Sequence, residues 1–223
     1  MNIYLLVEGR TEKKIYPKWI SHLLPDFTRV QAFDEVDYQN YYLFSSGGYP
    51  GILSDIPKAA ADINNCGKYS YFVVILDADE STVNERKDEV FEQIESCNLN
   101  AELIVVVQNR CFETWLLGNR SAYSRNPQNE ILQSYTKFYN VSRKDPEAMP
   151  NFPDFNKIQQ FHKDYLKRML AEKGIRYTAA NPREVGESYY IKELEKRTTE
   201  TPGHLKTLKE FFSFCDSILK TMN

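Results

Sequence analysis

Sulfur is scarce in this chain and badly placed for binding. The four cysteines, Cys66, Cys97, Cys111 and Cys215, are scattered through 223 residues with no C-x-x-C pair. That removes the spacing a zinc site or a dithiol redox motif needs and leaves free thiols in a reducing compartment as the expected state. Histidine is scarcer still: His22, His162 and His204 lie far apart and are expected at the surface or in caps rather than as ligands. No apolar run approaches the roughly 18–20 residues of a membrane helix. The first residues enter a strand at once, without the basic region and apolar core of a signal peptide. A cytoplasmic protein with no membrane partner is the expectation. There is no internal repeat and no low-complexity tail. What remains, 42% hydrophobic and 26% charged, is ordinary for a globular chain of one large domain or one domain with an appendage.

Charge is unevenly spread. Residues 1–118 hold 10 Lys/Arg against 18 Asp/Glu, whereas residues 119–223 hold 18 against 13. An acidic first part beside a basic second part suits a cation site next to a surface that grips an anionic polymer. Chance variation between solvated faces gives the same numbers.

The organising stretch is Tyr71-Phe-Val-Val-Ile-Leu-Asp77-Ala-Asp79. Six apolar or aromatic residues without a polar break read as a strand buried on both faces, as in a parallel sheet covered by helices. The run ends in two carboxylates with Glu80 directly behind. Ligands of open α/β sheets bind just beyond the carboxyl ends of the strands, and alternation sets Asp77 and Asp79 on one side. Two such acids repel unless a cation lies between them, and hard oxygen donors suit Mg²⁺ or Mn²⁺. A solvated strand end or a helix cap is the plainer reading of the same residues.

Other segments repeat the theme. Asn2–Val7 reads as a strand ending at Glu8, followed by Gly9, where the backbone can turn sharply. Thr11 can cap a helix running to about Leu24, with Ile15, Trp19, Ile20 and Leu23 at helical spacing and Glu12 in its first turn. Tyr41–Phe44 reads as a strand, 45–51 as a turn-rich loop without a P-loop lysine, Ile52–Asn64 and Val83–Ser96 as helices, and Ala101–Val107 as a further strand. Arg110 and Glu113 follow that strand. Strands alternating with helices indicate a mainly parallel, doubly wound sheet. Beyond Gly118 the pattern is helical: one helix near Glu130–Tyr139, one capped by Asp154 and closed by Gly174, then Val185–Arg197 and His204–Met222. In the second of these, Lys163, Lys167 and Arg168 fall outside the apolar stripe.

The three acidic strand ends, E-G-R-T-E at 8–12, L-D-A-D-E at 76–80 and R-C-F-E-T-W at 110–115, resemble the Toprim domain. That metal-dependent, Rossmann-like fold is shared by primases, type II topoisomerases, recombination factors and nucleases of the OLD family. In the family a Glu-Gly follows the first strand and an Asp-x-Asp follows a later hydrophobic strand, matched here by Glu8-Gly9 and Asp77-Ala-Asp79. The E-G-x-T-E and F-E-x-W forms look most like small stand-alone OLD-type proteins, the RloB-like kind, many associated with phage defence. The resemblance covers residues 1–118 as a catalytic domain and leaves 119–223 as a basic helical region packed on it. It implies a Mg²⁺- or Mn²⁺-dependent nuclease with two ions. Asp77 and Asp79 would bind metal, Glu8 would act as general acid/base or metal bridge, and Glu12 matches the extra acid of OLD-type sites. With no ATPase region in the chain, a separately encoded ATPase is the implied partner.

The chemistry agrees without the name. Two divalent cations can neutralise a transferring phosphate and generate hydroxide, and Glu8, Glu12, Asp77, Asp79 and Glu113 are carboxylates enough to hold them. Glu80 is either a ligand or a cap. Arg110 steadies a phosphate or pairs with an acid, and Lys192, Lys196, Arg197 and Lys206 form the expected nucleic-acid surface. Asp-x-Asp after a strand also resembles nucleotide-sugar glycosyltransferases, a reading that leaves Glu8 and Glu12 without a role. A non-catalytic metal- or nucleotide-binding module is the third alternative.

Overall fold

The computed structural model describes residues 1–222. Five strands form one all-parallel sheet: β1 (Asn2–Val7), β2 (Thr28–Val30), β3 (Asn40–Ser45), β4 (Tyr71–Asp77) and β5 (Glu102–Gln108), in the order β2-β3-β1-β4-β5. Among the described residues there are eight α-helices: α1 (Arg10–Leu23), α2 (Gly51–Cys66), α3 (Val83–Ile94), α4 (Phe112–Leu116), α5 (Glu130–Phe138), α6 (Ile158–Ala171), α7 (Ser188–Glu200) and α8 (Lys206–Met222). The expected α/β class with a helical C-terminal region is therefore the observed one. None of these helices is long and apolar enough to cross a membrane.

The apolar run of β4 is buried because the sheet is sandwiched. Val73 and Ile75 face a cluster built from α1, α4 and the C-terminal helices, whereas Phe72, Val74 and Leu76 face α2 and α3. Each such side chain contributes roughly 1.5–3 kcal/mol by leaving water. On the first face Trp19 is fully buried among Tyr16 and Phe112, and its indole N–H donates to the Val185 carbonyl at 3.1 Å. Gly118 lies under the same helices. A Cβ there would sit 2.3 Å from Leu205 Cδ1 and 3.3 Å from Leu194 Cδ2, so only glycine admits their approach.

The topology opens the site. From β1 the chain leaves to α1 on one face, and from the adjacent β4 it leaves to α3 on the other. Diverging connections at neighbouring strand ends leave a crevice at the carboxyl edge. Register brings the edge into line, with Val7 beside Ser45 and Ile75, and Asp77 beside Gln108.

Several local expectations are corrected. Strand β2 is too short to show a period in the sequence, and its three residues, exposed Thr28 and half-buried Arg29 and Val30, carry no apolar run. Thr11 does not cap α1. Gly9 occupies that position without a side-chain cap, and the Thr11 hydroxyl reaches the Ala179 carbonyl at 3.5 Å. Gly9 has φ −114°, so no sharp turn is made there. Its bareness matters for another reason: a Cβ would meet Glu12 Oε2 at 2.5 Å. Helix α6 starts at Ile158 rather than after Asp154, and its N-terminal Ile158 N–H donates to Glu80 Oε1 at 2.9 Å. Glu80 is thus a cap, but of a helix 78 residues away, while Thr82 caps α3. His162 is fully buried, neither at the surface nor in a cap. It lies between the Thr114 hydroxyl at 2.8 Å from Nδ1 and the Met149 carbonyl at 3.2 Å from Nε2.

Candidate active site at the carboxyl edge of the sheet

Glu8, Glu12, Asp77 and Glu113 line one pocket of about 240 Å³ at the ends of β1, β4 and β5. Each arrives by a different route. Glu8 is the first residue beyond β1, its N–H still bonded to the Ile75 carbonyl at 3.1 Å. Glu12 curls back over bare Gly9 onto the start of α1. Asp77 ends β4, and Glu113 stands in the first turn of α4. Glu8 Oε2 accepts the Asp77 main-chain N–H at 3.0 Å, which ties two of these strand ends together. Glu113 Oε1 accepts the Tyr177 hydroxyl at 3.1 Å, and its other oxygen lies 3.9 Å from Lys163 Nζ.

The loops that carry the acids are held by a continuation of the β4–β5 ladder. Ala78 N–H donates to the Gln108 carbonyl at 3.0 Å and Asp79 N–H to the Arg110 carbonyl at 2.7 Å. Arg110 returns the contact, its guanidinium donating to the carbonyls of Asp79 and Ser81, both at 3.2 Å. Asp79 and Arg110 both have left-handed backbone, φ 51° and 72°. Such conformations cost of order 1 kcal/mol or more for residues with a Cβ and persist where the surroundings fix them. Alternation therefore stops at Asp77. Asp79 does not line the pocket, and the charges acting most on it are those of Lys163, Arg86 and Lys157. Arg110, expected to meet phosphate or an acid, spends its side chain on main-chain carbonyls.

Burial is the main influence on every pocket acid whose ionisation is displaced. It pushes Glu12 up to about 7, assisted by the charges of Glu113 and Glu8. It pushes Asp77 well above the usual aspartate range, assisted by Glu12, Glu8 and Glu113 and opposed by Lys163. Glu8 is raised by burial and by Asp79, against the N–H donated by Asp77. Burial alone would lower Lys163, but the attraction of Glu113, Cys111, Asp77 and Asp79 holds it above the usual lysine range. Lys163 and Lys167, one turn apart on α6, and Tyr177 all line the pocket. These three, with Arg10 at the start of α1, are site residues that sequence reasoning missed. The two lysines of α6 carried one signal, a basic i, i+4 pair on one helical face, and Tyr177 carried none.

Among the described residues no three carboxylate, imidazole or thiol groups are drawn close enough to enclose a metal ion. The donor set nevertheless fits a hard cation. It is all oxygen, and Asp77 Oδ1 is shielded from solvent with no hydrogen-bond partner. A buried carboxylate oxygen without a partner is costly and marks a place where one is missing.

The expected nucleic-acid residues are not brought together with this pocket. Lys192, Lys196 and Lys206 are exposed on α7 and α8, and Lys196 lies 4.0 Å from Glu200. Arg197 is corrected outright. It is 1% exposed, and its guanidinium donates to the carbonyls of Val141, Ser142 and Lys144 and meets His204 Nδ1 at 2.8 Å. It holds a loop and cannot reach a phosphate. Comparison with protein-family models, with curated proteins and with solved structures finds no match to this chain.

Proposed function

We propose that the chain is a divalent-metal-dependent nuclease of the Toprim, OLD-like kind, cleaving phosphodiester bonds in nucleic acid. The observation that carries this reading is the convergence of Glu8, Glu12, Asp77 and Glu113 from three strand ends on one pocket, around an unpartnered buried oxygen of Asp77. A glycosyltransferase needs no carboxylates at the ends of β1 and α1, yet Glu8 and Glu12 are half of this cluster.

Asp77, Glu12 and Glu113 would hold Mg²⁺ or Mn²⁺, with Glu8 beside them. Bound divalent cations supply charge neutralisation on the transferring phosphate and an acidified water. The chain's own groups do the rest. Glu8, raised by burial and anchored by the Asp77 N–H, is placed to take up and pass a proton during bond cleavage. Lys163, kept cationic by its acidic neighbours, offsets their charge and meets an incoming phosphate. Lys167 and Arg10 extend that attraction to the pocket mouth. Tyr177 orients Glu113 through its hydroxyl. Asp79 stands outside the pocket but acts electrostatically on Glu8.

The direct test is incubation of the purified chain with plasmid, single-stranded DNA and tRNA in Mg²⁺, Mn²⁺ or EDTA. Cleavage that needs metal and is lost in Asp77→Asn supports the nuclease. Absence of cleavage of all three substrates, or UDP-sugar hydrolysis in its place, overturns it.

A further inference from the structure

Beside the acidic pocket runs an open groove of about 880 Å³, lined by Arg10, Lys13, Lys14, Pro17, Arg29 and the 179–180 segment. Residues 1–118 carry only ten Lys/Arg, and four of them line this one groove. Arg10, Lys13 and Lys14 are exposed on α1, and Arg29 is half-buried on the edge strand β2. Among the described residues none of the four forms an ion pair, in contrast to Lys18, Lys87, Arg120 and Lys196, each of which faces a carboxylate. Lys14 donates to the Ala180 carbonyl and so fastens the far wall. Arg29 is the sharpest sign of an unmet partner: its Nε is shielded from solvent and bonds to nothing.

We propose that this groove seats the phosphate backbone of a nucleic-acid duplex and leads it into the acidic pocket, an inference that rests on the nuclease reading above. Position supports it, because Arg10 and Ala179 line both the groove and the pocket. A strand lying along α1 is therefore led toward the pocket that Glu8 and Glu12 line. Charge supports it, since unpaired Lys and Arg beside an acidic cluster attract a polyanion that the cluster alone would repel. The lining also says what is read. No aromatic side chain is among the groove residues, so there is no platform for stacking unpaired bases. Contacts of this kind are to phosphates, fix register and carry no sequence information. The cations of the seat thus belong to the acidic N-terminal half, away from Lys192, Lys196 and Lys206 on α7 and α8.

The test is fluorescence anisotropy with a labelled duplex of about 20 base pairs, DNA and RNA in parallel, in EDTA across a range of salt. Each lost phosphate contact makes the slope of log K against log salt shallower by about 0.9 for DNA. Arg10→Gln, Lys13→Gln and Arg29→Gln combined should flatten it by about 2–3 and weaken binding at least tenfold. Lys14 is left intact because it fastens the wall. The double variant Arg10→Gln with Lys13→Gln touches exposed residues only. It should flatten the slope by about 2 with an unchanged thermal midpoint, which separates the effect from misfolding. Lys192→Gln, Lys196→Gln and Lys206→Gln combined should leave slope and affinity as in the wild type. The proposal is overturned if the wild type binds neither duplex, if the groove variants bind as the wild type does, or if the α7–α8 variant flattens the slope instead. Failure of the nuclease reading looks different: salt-dependent binding lost in the groove variants, with no cleavage by the wild type in any metal.

Discussion

Glu8 and Asp77 are joined by a 3.0 Å hydrogen bond from the Asp77 main-chain N–H to Glu8 Oε2, across 69 residues of sequence. The bond fixes one oxygen of Glu8, a residue that lines the pocket. Glu8→Gln keeps the shape and removes the charge. General acid/base work is worth about 10²–10⁴ in rate, so cleavage should fall by that range while anisotropy shows duplex binding intact or slightly tighter. Cleavage at the normal rate would remove Glu8 from the mechanism.

Asp77→Asn should abolish metal-dependent cleavage while the metal-free protein melts at or above the wild-type temperature. Burial and three neighbouring acids disfavour the Asp77 carboxylate, so its neutral isostere relieves repulsion. Differential scanning fluorimetry in EDTA reads this, and loss of the thermal transition would make Asp77 structural.

Gly9→Ala is compatible with the extended backbone at that position, yet its methyl group would stand 2.5 Å from Glu12 Oε2. Glu12 must move, and the fold need not. We expect the rise in melting temperature on adding Mn²⁺ to shrink relative to wild type, with little change in EDTA. An unchanged Mn²⁺ response would show that Glu12 holds no ion.

His162 gives the pH dependence. Burial lowers it to about 3, whereas the unfolded chain protonates near 6.5. The neutral form is the folded one, so the contribution is complete above 6.5 and is lost as pH falls from there toward 3. Between about pH 7 and pH 5 the loss is about 2 kcal/mol. Urea melts of the wild type and of His162→Gln should converge by that amount, and parallel pH profiles would contradict it.

Arg197→Met should destabilise by about 3 kcal/mol through the three orphaned carbonyls at 141, 142 and 144. It should leave the salt dependence of duplex binding untouched. A flattened salt slope in a fully folded variant would return Arg197 to the nucleic-acid surface.

The sheet and most helices were legible because their signals are local: β4 as an unbroken apolar run, α1 and α8 as periodic apolar faces. The strand-end acids were legible for the same reason, standing where a hydrophobic run stops. What failed was non-local. Strand β2 has too few residues and too much exposed surface to show a period. Alternation could not foresee that Asp79 turns left-handed under the Arg110 carbonyl. Lys163 read as a solvated residue because nothing local tells a helix which way its polar face looks. Arg197 read as a free cation because its partners are main-chain carbonyls more than 50 residues away, which a charge count cannot register.

Gly118 marks where the composition changes, and its missing side chain has a consequence for modularity. The spot where a linker would be expected is a point of tightest approach, clamped by Leu194 and Leu205. The cap of α6 is likewise lent by Glu80 from the other half. The two regions are thus unfit to be cut apart or exchanged as cassettes. A truncation at 118 would strip the cover from Phe112 and Trp115 and leave the acid cluster without Lys163, while a transplanted C-terminal half would carry a helix lacking its own first-turn acceptor.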